Sequence, residues 1–206
     1  MSGLRVASTP ANQPPAAPRR RNARSAQSMA KLIEAATELL KEWPYSELSL
    51  RAVAAHANVS VTTAYTYFPT KAALIAQVFL GMLRDVPVFV DVNKAAQQRV
   101  ADQLTALTML IADKTHLTDA CLTALMSDDQ AVGPIRDQIA IEINQRIAAS
   151  LGPGYQPEVA ATLHMLYSGA LVHARSGAVT YTRIIDQLTA AAALILAASA
   201  PPSNEP

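Results

Sequence analysis

The chain has 206 residues, half of them apolar, which suits one large domain or two small ones around a well-filled core. Its single cysteine, Cys121, excludes an intrachain disulfide and a multi-thiolate zinc site; no signal-peptide pattern follows Met1, and the longest apolar run, 190–198, is far short of the ~20 residues of a membrane span. The net charge of +1 conceals ten Lys and Arg against four Glu in residues 1–84 and seven against twelve acidic residues in 85–206, so a basic front half is expected to meet a polyanion, in a soluble cytoplasmic protein with no membrane partner.

Residues 1–27 have no apolar period and carry Pro10, Pro14, Pro15 and Pro18, then Arg19, Arg20, Arg21 and Arg24. A disordered basic arm is expected there. Helical spacing of Met29, Leu32, Ile33, Ala36, Leu39, Leu40 and Trp43 predicts a first helix, stopped by Pro44. Ser49 is a good N-cap for a short helix through His56, Ser60 for another ending before Pro69, and Thr70 for a fourth. The fourth has Leu74, Ile75, Val78, Phe79 and Met82 on its inner face.

Residues 49–68 read as a helix-turn-helix. Val53 and Ala54 face inward from its first helix, and Ala54 is small where the second helix crosses. Val59 plugs the turn, Asn58 takes the left-handed position, and Ala64 and Tyr67 face back to the core. Such a pair lays its second helix in the major groove of DNA.

Longer helices follow, at about 93–113, 117–126, 134–151, 157–178 and 182–199, with a Gly-Pro-Gly turn at 152–154. No segment shows sustained strand alternation. The fold expected is all-α, with about nine helices. The boundaries expected are an arm over 1–27, a helix-turn-helix domain over 28–84, a sensing and dimerisation bundle over 85–200 and a tail over 201–206. Residues 190–198 are apolar on every side, and helix 157–178 carries Gly169, Ala170, Ala174, Gly177 and Ala178. A homodimer through helices 157–178 and 182–199 is expected, each burying one face at home and one on a partner.

Residues 28–80 resemble the DNA-binding region of TetR-family repressors. The carrying segments stand in order: Leu-Ile-Glu-Ala-Ala-Thr-Glu-Leu-Leu (32–40), Tyr45, Leu-Ser-Leu-Arg-Ala-Val-Ala (48–54), Asn-Val-Ser (58–60), Tyr-Thr-Tyr-Phe (65–68) and Pro-Thr-Lys-Ala-Ala-Leu (69–74). Trp43-Pro44 stands where the family usually has a glycine, Asn58 replaces the turn glycine, and Ala64 replaces a larger aliphatic residue. The resemblance implies that Lys71 and Tyr67 contact phosphate. It also implies a C-terminal bundle enclosing a ligand.

Ser49 and Ser60 cap helices whose amino ends suit phosphate. Thr62, Thr63, Tyr65 and Thr66 are the groove-facing candidates, and packing against the first helix competes for Tyr65. Residues 60–68 contain no Lys or Arg, so the common arginine-to-guanine contact is missing from this helix. Attraction must come from Lys71, Arg51 and the arm residues Arg19, Arg20, Arg21 and Arg24, along the backbone or in the minor groove. A passive solubilising tail is the alternative for the arm.

For the rear half, the ligand-lining candidates are Phe89, Leu107, Ile111, Leu125, Met126, Ile139, Ile143, His164, Tyr167, Ser168 and Leu171. They suit a mainly apolar small effector with one or two polar anchors. Ordinary core packing is the competing role for each. No catalytic arrangement, metal site or cofactor loop is recognised, and Cys121 reads as a buried small residue. The function expected is a ligand-responsive homodimeric repressor of a palindromic operator on double-stranded DNA. The alternatives are an architectural, nucleoid-associated DNA-binding protein of the same fold without a ligand, and a helical enzyme or carrier with vestigial heads.

Overall fold

The computed structural model describes residues 17–112, 114–175 and 179–199, with side chains from residue 23 onward. Nine helices make up its regular structure among those residues: α1 (Ala17–Leu39), α2 (Leu50–His56), α3 (Val61–Tyr67), α4 (Lys71–Arg84), α5 (Ala96–Met109), α6 (Thr115–Leu125), α7 (Gly133–Leu151), α8 (Pro157–Arg175) and α9 (Tyr181–Ala198). The first three form a head against the start of α4, and α5 to α9 build the rear bundle around its end.

One boundary differs clearly from the sequence-based expectation. α1 begins at Ala17, so the arm expected over 1–27 is helical from that residue onward. The run from Ala17 is rich in alanine and arginine, which favour helix, and no further proline follows Pro18 within α1. Pro18 itself sits in the first turn, where a missing N–H costs nothing. Residues 1–16 and 200–206 lie outside the described residues, as do Gly177 and Ala178.

Short helices hold because their ends are satisfied. Ser49 Oγ accepts from Ala52 N, Ser60 Oγ from Thr63 N and Thr70 Oγ1 from Ala73 N, each at 3.1 Å. Asn58 is the one non-glycine residue with positive φ among those described, at 51°, in the turn where the sequence requires it. Val59 N then reaches back to Ala54 O at 2.9 Å and closes the turn. Asn58→Val is expected to cost about 1–2 kcal/mol, because a β-branched residue resists the left-handed region. Thermal unfolding checks it: a drop of about 2–8 °C is expected, with Asn58→Gly no less stable than the wild type.

In the rear bundle, Gly152 ends α7 with φ 80°. Arg99 from α5 covers that end, donating to Ser150 O and Leu151 O at 2.8 Å each. The positive φ favours glycine there, and a Cβ at position 152 would stand 2.9 Å from the Arg99 guanidinium, which would have to shift. Tyr167 is fully buried, its hydroxyl donating to Leu107 O at 3.0 Å, and burial pushes its titration well above the ordinary phenol range.

The end of α4 is tied to α7 by charge. Arg84 Nε donates to Glu142 Oε1 at 3.0 Å, and Arg146 holds the other carboxylate oxygen. Arg146 is buried and also donates to Arg84 O at 3.2 Å. No helix among the described residues is long and apolar enough to cross a membrane.

Candidate nucleic-acid interface

α3 is held by its inner face and open on its outer one. Ala64 and Ala54 are both fully buried, on α3 and α2, which pack against each other. Outward, Thr62, Tyr65 and Thr66 are exposed. Tyr65 is 52 % exposed, so it faces solvent rather than α1. Thr63 is half-buried.

The threonine hydroxyls are partly committed. Thr66 Oγ1 donates to Thr62 O at 2.9 Å, and the Thr63 and Ser60 hydroxyls pair at 2.7 Å. Thr66 therefore keeps its acceptor lone pairs and its methyl open to solvent. A thymine methyl is the natural partner of such a surface.

Two residues expected on phosphate are otherwise engaged. The Lys71 ammonium donates to Tyr45 O at 2.7 Å and lies 4.1 Å from the centre of the Tyr45 ring. This cation–π seat is half-buried, and burial holds the lysine below its ordinary value. Burial raises the Tyr45 phenol, with the Asp129 charge adding to it. Lys71 so fixes the start of α4 to the turn after α1, keeping two N–H donors. Tyr67 donates its hydroxyl to Ser25 Oγ at 2.9 Å, which fastens α1 beside α3.

That fastening locates the arginines. Arg24 is exposed, next to the Ser25 anchor, and Arg19, Arg20 and Arg21 lie on the backbone of the same helix, one to two turns earlier. Arg51, in the first turn of α2, is also exposed. His56 at the end of α2 pairs with Glu38 of α1 at 3.0 Å, a bond that lowers the Glu38 carboxyl below its ordinary value. The roles of Tyr45 and Ser25 escape sequence reasoning. Tyr45 carried only a motif position, and Ser25 sits in a stretch without apolar period.

The eleven residues expected to line an effector cavity divide otherwise. Leu107, Ile111, Ile139, Ile143, Tyr167 and Leu171 are core. Phe89, Leu125 and His164 are half-buried, and burial lowers the His164 imidazole. Met126 and Ser168 are exposed. Tyr167 reaches from α8 to α5 and bonds there. Among the described residues, no three His, Cys, Asp or Glu side chains converge to hold a metal ion. Cys121 is buried, and desolvation pushes its thiol up to about 12.

On α8 and α9, one stripe of α9 (Ile184, Leu188, Ala192, Leu196) is buried, while Leu194 is 74 % exposed. Met165 and Val172 of α8 are exposed as well.

Comparison with known proteins agrees with this geometry. Residues 32–78 match the family model described as bacterial regulatory proteins, tetR family. The chain is 41 % identical to an uncharacterized HTH-type transcriptional regulator of Mycobacterium tuberculosis, over 99 % of this chain and 98 % of the relative. In fold it is similar to a TetR transcriptional regulator from Rhodococcus sp. RHA1, with a TM-score of 0.75 at 20 % identity over 85 % of this chain and 98 % of that one. It is also similar to the multidrug binding protein EbrR complexed with imidazole, with a TM-score of 0.62 at 16 % identity over 85 % and 97 %.

Proposed function

The chain belongs to the tetR family of bacterial transcriptional regulators, and from that premise we propose that it is a homodimeric repressor released from a palindromic operator by a mainly apolar small molecule. The observation that carries the DNA-binding part is α3: capped by Ser60, seated on Ala54 through Ala64, and open to solvent at Thr62, Tyr65 and Thr66. In this proposal α3 enters the major groove. The arginines of α1 and Arg51 supply the phosphate contacts, with Ser49 and Ser60 at helix starts beside the backbone.

The dimer is supported by the exposed Met165, Val172 and Leu194, which leave an apolar face on α8 and α9. A two-fold pair of heads reads two inverted half-sites. Release by a ligand is supported by the fold shared with EbrR, which binds drugs. The packing of Leu107, Ile111 and Tyr167 favours a second reading, an architectural DNA-binding protein with no ligand in the bundle.

Selection of bound DNA from a random duplex library by the purified full chain tests the proposal. The expected product is a palindrome whose half-site centres are separated by about one helical turn, or a multiple of it. DNA recovered without sequence enrichment or two-fold symmetry would favour the architectural reading, and no recovered DNA at all would defeat both.

A further inference from the structure

We propose that the cleft where the head meets the rear bundle binds a small amphipathic carboxylate, an alkyl or aryl tail bearing one anionic group, and that this ligand fixes the position of the head. Only the regulatory half of this proposal rests on the DNA-binding reading above.

The cleft has a volume of about 660 Å³, within the range of small-molecule sites. One wall is the end of α1 with Met82 of α4, and the other is the start of α6. Its floor is apolar: Leu40 and Leu117 are buried there, and Met82 is half-buried. Its rim is cationic. Lys41 stands on the head side and Lys114 on the bundle side, both exposed, with His116 beside Lys114. Lys114 Nζ uses one proton on Leu110 O at 3.1 Å, which leaves two for a ligand. No acidic side chain is among the described residues lining this cleft.

The adjoining groove along α1 and α4 sharpens the choice of ligand. It shares Thr37, Lys41 and Met82 with the cleft, but there the walls carry three carboxylates, Glu34, Glu38 and Asp85, against one further cation, Arg84, whose guanidinium is engaged by Glu142. Carboxylates along that groove repel an anion, so the negative end of a ligand is confined between Lys41 and Lys114. The apolar tail is then left to the floor. A neutral apolar molecule would leave the two ammonium groups unused, and a cation would be repelled by them.

The location gives the ligand leverage. Its two walls belong to different parts of the molecule, and α4 runs between them from Lys71 in the head to Arg84 on α7. A ligand touching both walls fits one setting of the head and loses contacts in any other. It therefore shifts the population of head positions, and operator DNA changes its affinity by the same factor in return.

Calorimetric titration of the DNA-free full chain with decanoate, decanol and decyltrimethylammonium tests the site. Saturable decanoate binding is expected, at least about tenfold tighter than the cation of matched tail. Lys41→Gln with Lys114→Gln is expected to weaken decanoate about tenfold or more and to leave decanol unchanged. Met82→Trp fills the floor and is expected to abolish binding of both; the exposed lysine pair keeps the test decisive if that variant misfolds. Absent decanoate binding, equal binding of the cation, or full decanoate affinity in the lysine double variant would overturn the site. Saturating decanoate is further expected to shift operator affinity at least about fivefold in the wild type and not in the double variant. Intact decanoate binding with no such shift would overturn the regulatory half. Because binding is measured without DNA, a chain that found no operator would defeat the DNA-binding reading and leave the carboxylate site standing.

Discussion

Glutamine at Arg19, Arg20, Arg21 and Arg24 is expected to lower the slope of log affinity against log salt by at least about 3, and to weaken operator binding at physiological salt by about 10- to 100-fold. Each phosphate neutralised contributes about 0.9 to that slope, so in the proposed dimer four arginines per subunit set a ceiling near 7. The size of the effect follows from what the rest of the head lacks. α3 has no basic residue, and Lys71 is seated on the ring and carbonyl of Tyr45. In the proposed interface, attraction is left mainly to Arg51 and the arginines of α1. Those arginines are carried by helix rather than by a loose arm, and the Tyr67–Ser25 bond holds that helix beside α3. Glutamine keeps helix propensity, so circular dichroism should not change. An unchanged salt slope would make this segment a passive tail.

Glu142→Ala is expected to destabilise the protein by about 2–3 kcal/mol, a drop of about 4–12 °C in Tm. The loss comes chiefly from Arg146, which is buried and would keep its charge without a carboxylate beside it. Its Nε already lacks a partner, and only the backbone carbonyls of Glu142 and Arg84 would remain on its other nitrogens. Hydrogen bonds from Arg146 first, then Arg84, hold the Glu142 carboxyl below its ordinary value of 4.5. A carboxylate depressed in the folded state contributes fully above its unfolded pKa, and that contribution is lost as pH falls through the folded one. The Tm gap between wild type and Glu142→Ala should therefore be wide at neutral pH and narrow below 4.5. A gap that stayed constant with pH would mean that the carboxylate charge is not what the variant removes. The same variant loosens the end of α4 from α7, so it should also weaken the coupling between the junction cleft and the operator.

The fold was legible because helices this amphipathic announce themselves by period, caps and stops. Ser49, Ser60 and Thr70 cap where they were expected to, and Asn58 takes positive φ. The start of α1 was not legible: prolines and absent apolar period suggested an arm, whereas alanines and arginines carry the helix back to Ala17. Tertiary partners were the other blind spot. Nothing in the spacing of Tyr67 and Ser25, or of Lys71 and Tyr45, marks them as neighbours. Residues on apolar stripes cannot be sorted into cavity wall and core by sequence, because both need the same side chains. Leu107 and Tyr167 are fully buried, while a cleft lies between elements distant in sequence, at Lys41 and Lys114.

The central claim is a division of labour, with α3 discriminating between sequences and the arginines of α1 supplying attraction. Its most direct test is the ratio of affinities for the selected palindrome and for random duplex, measured at one salt concentration with Thr62, Tyr65 and Thr66 replaced by alanine. The expected result is a ratio lowered at least about 30-fold, with affinity for random DNA and its salt slope unchanged. A ratio that stayed at the wild-type value, or a parallel loss on both DNAs, would contradict the account.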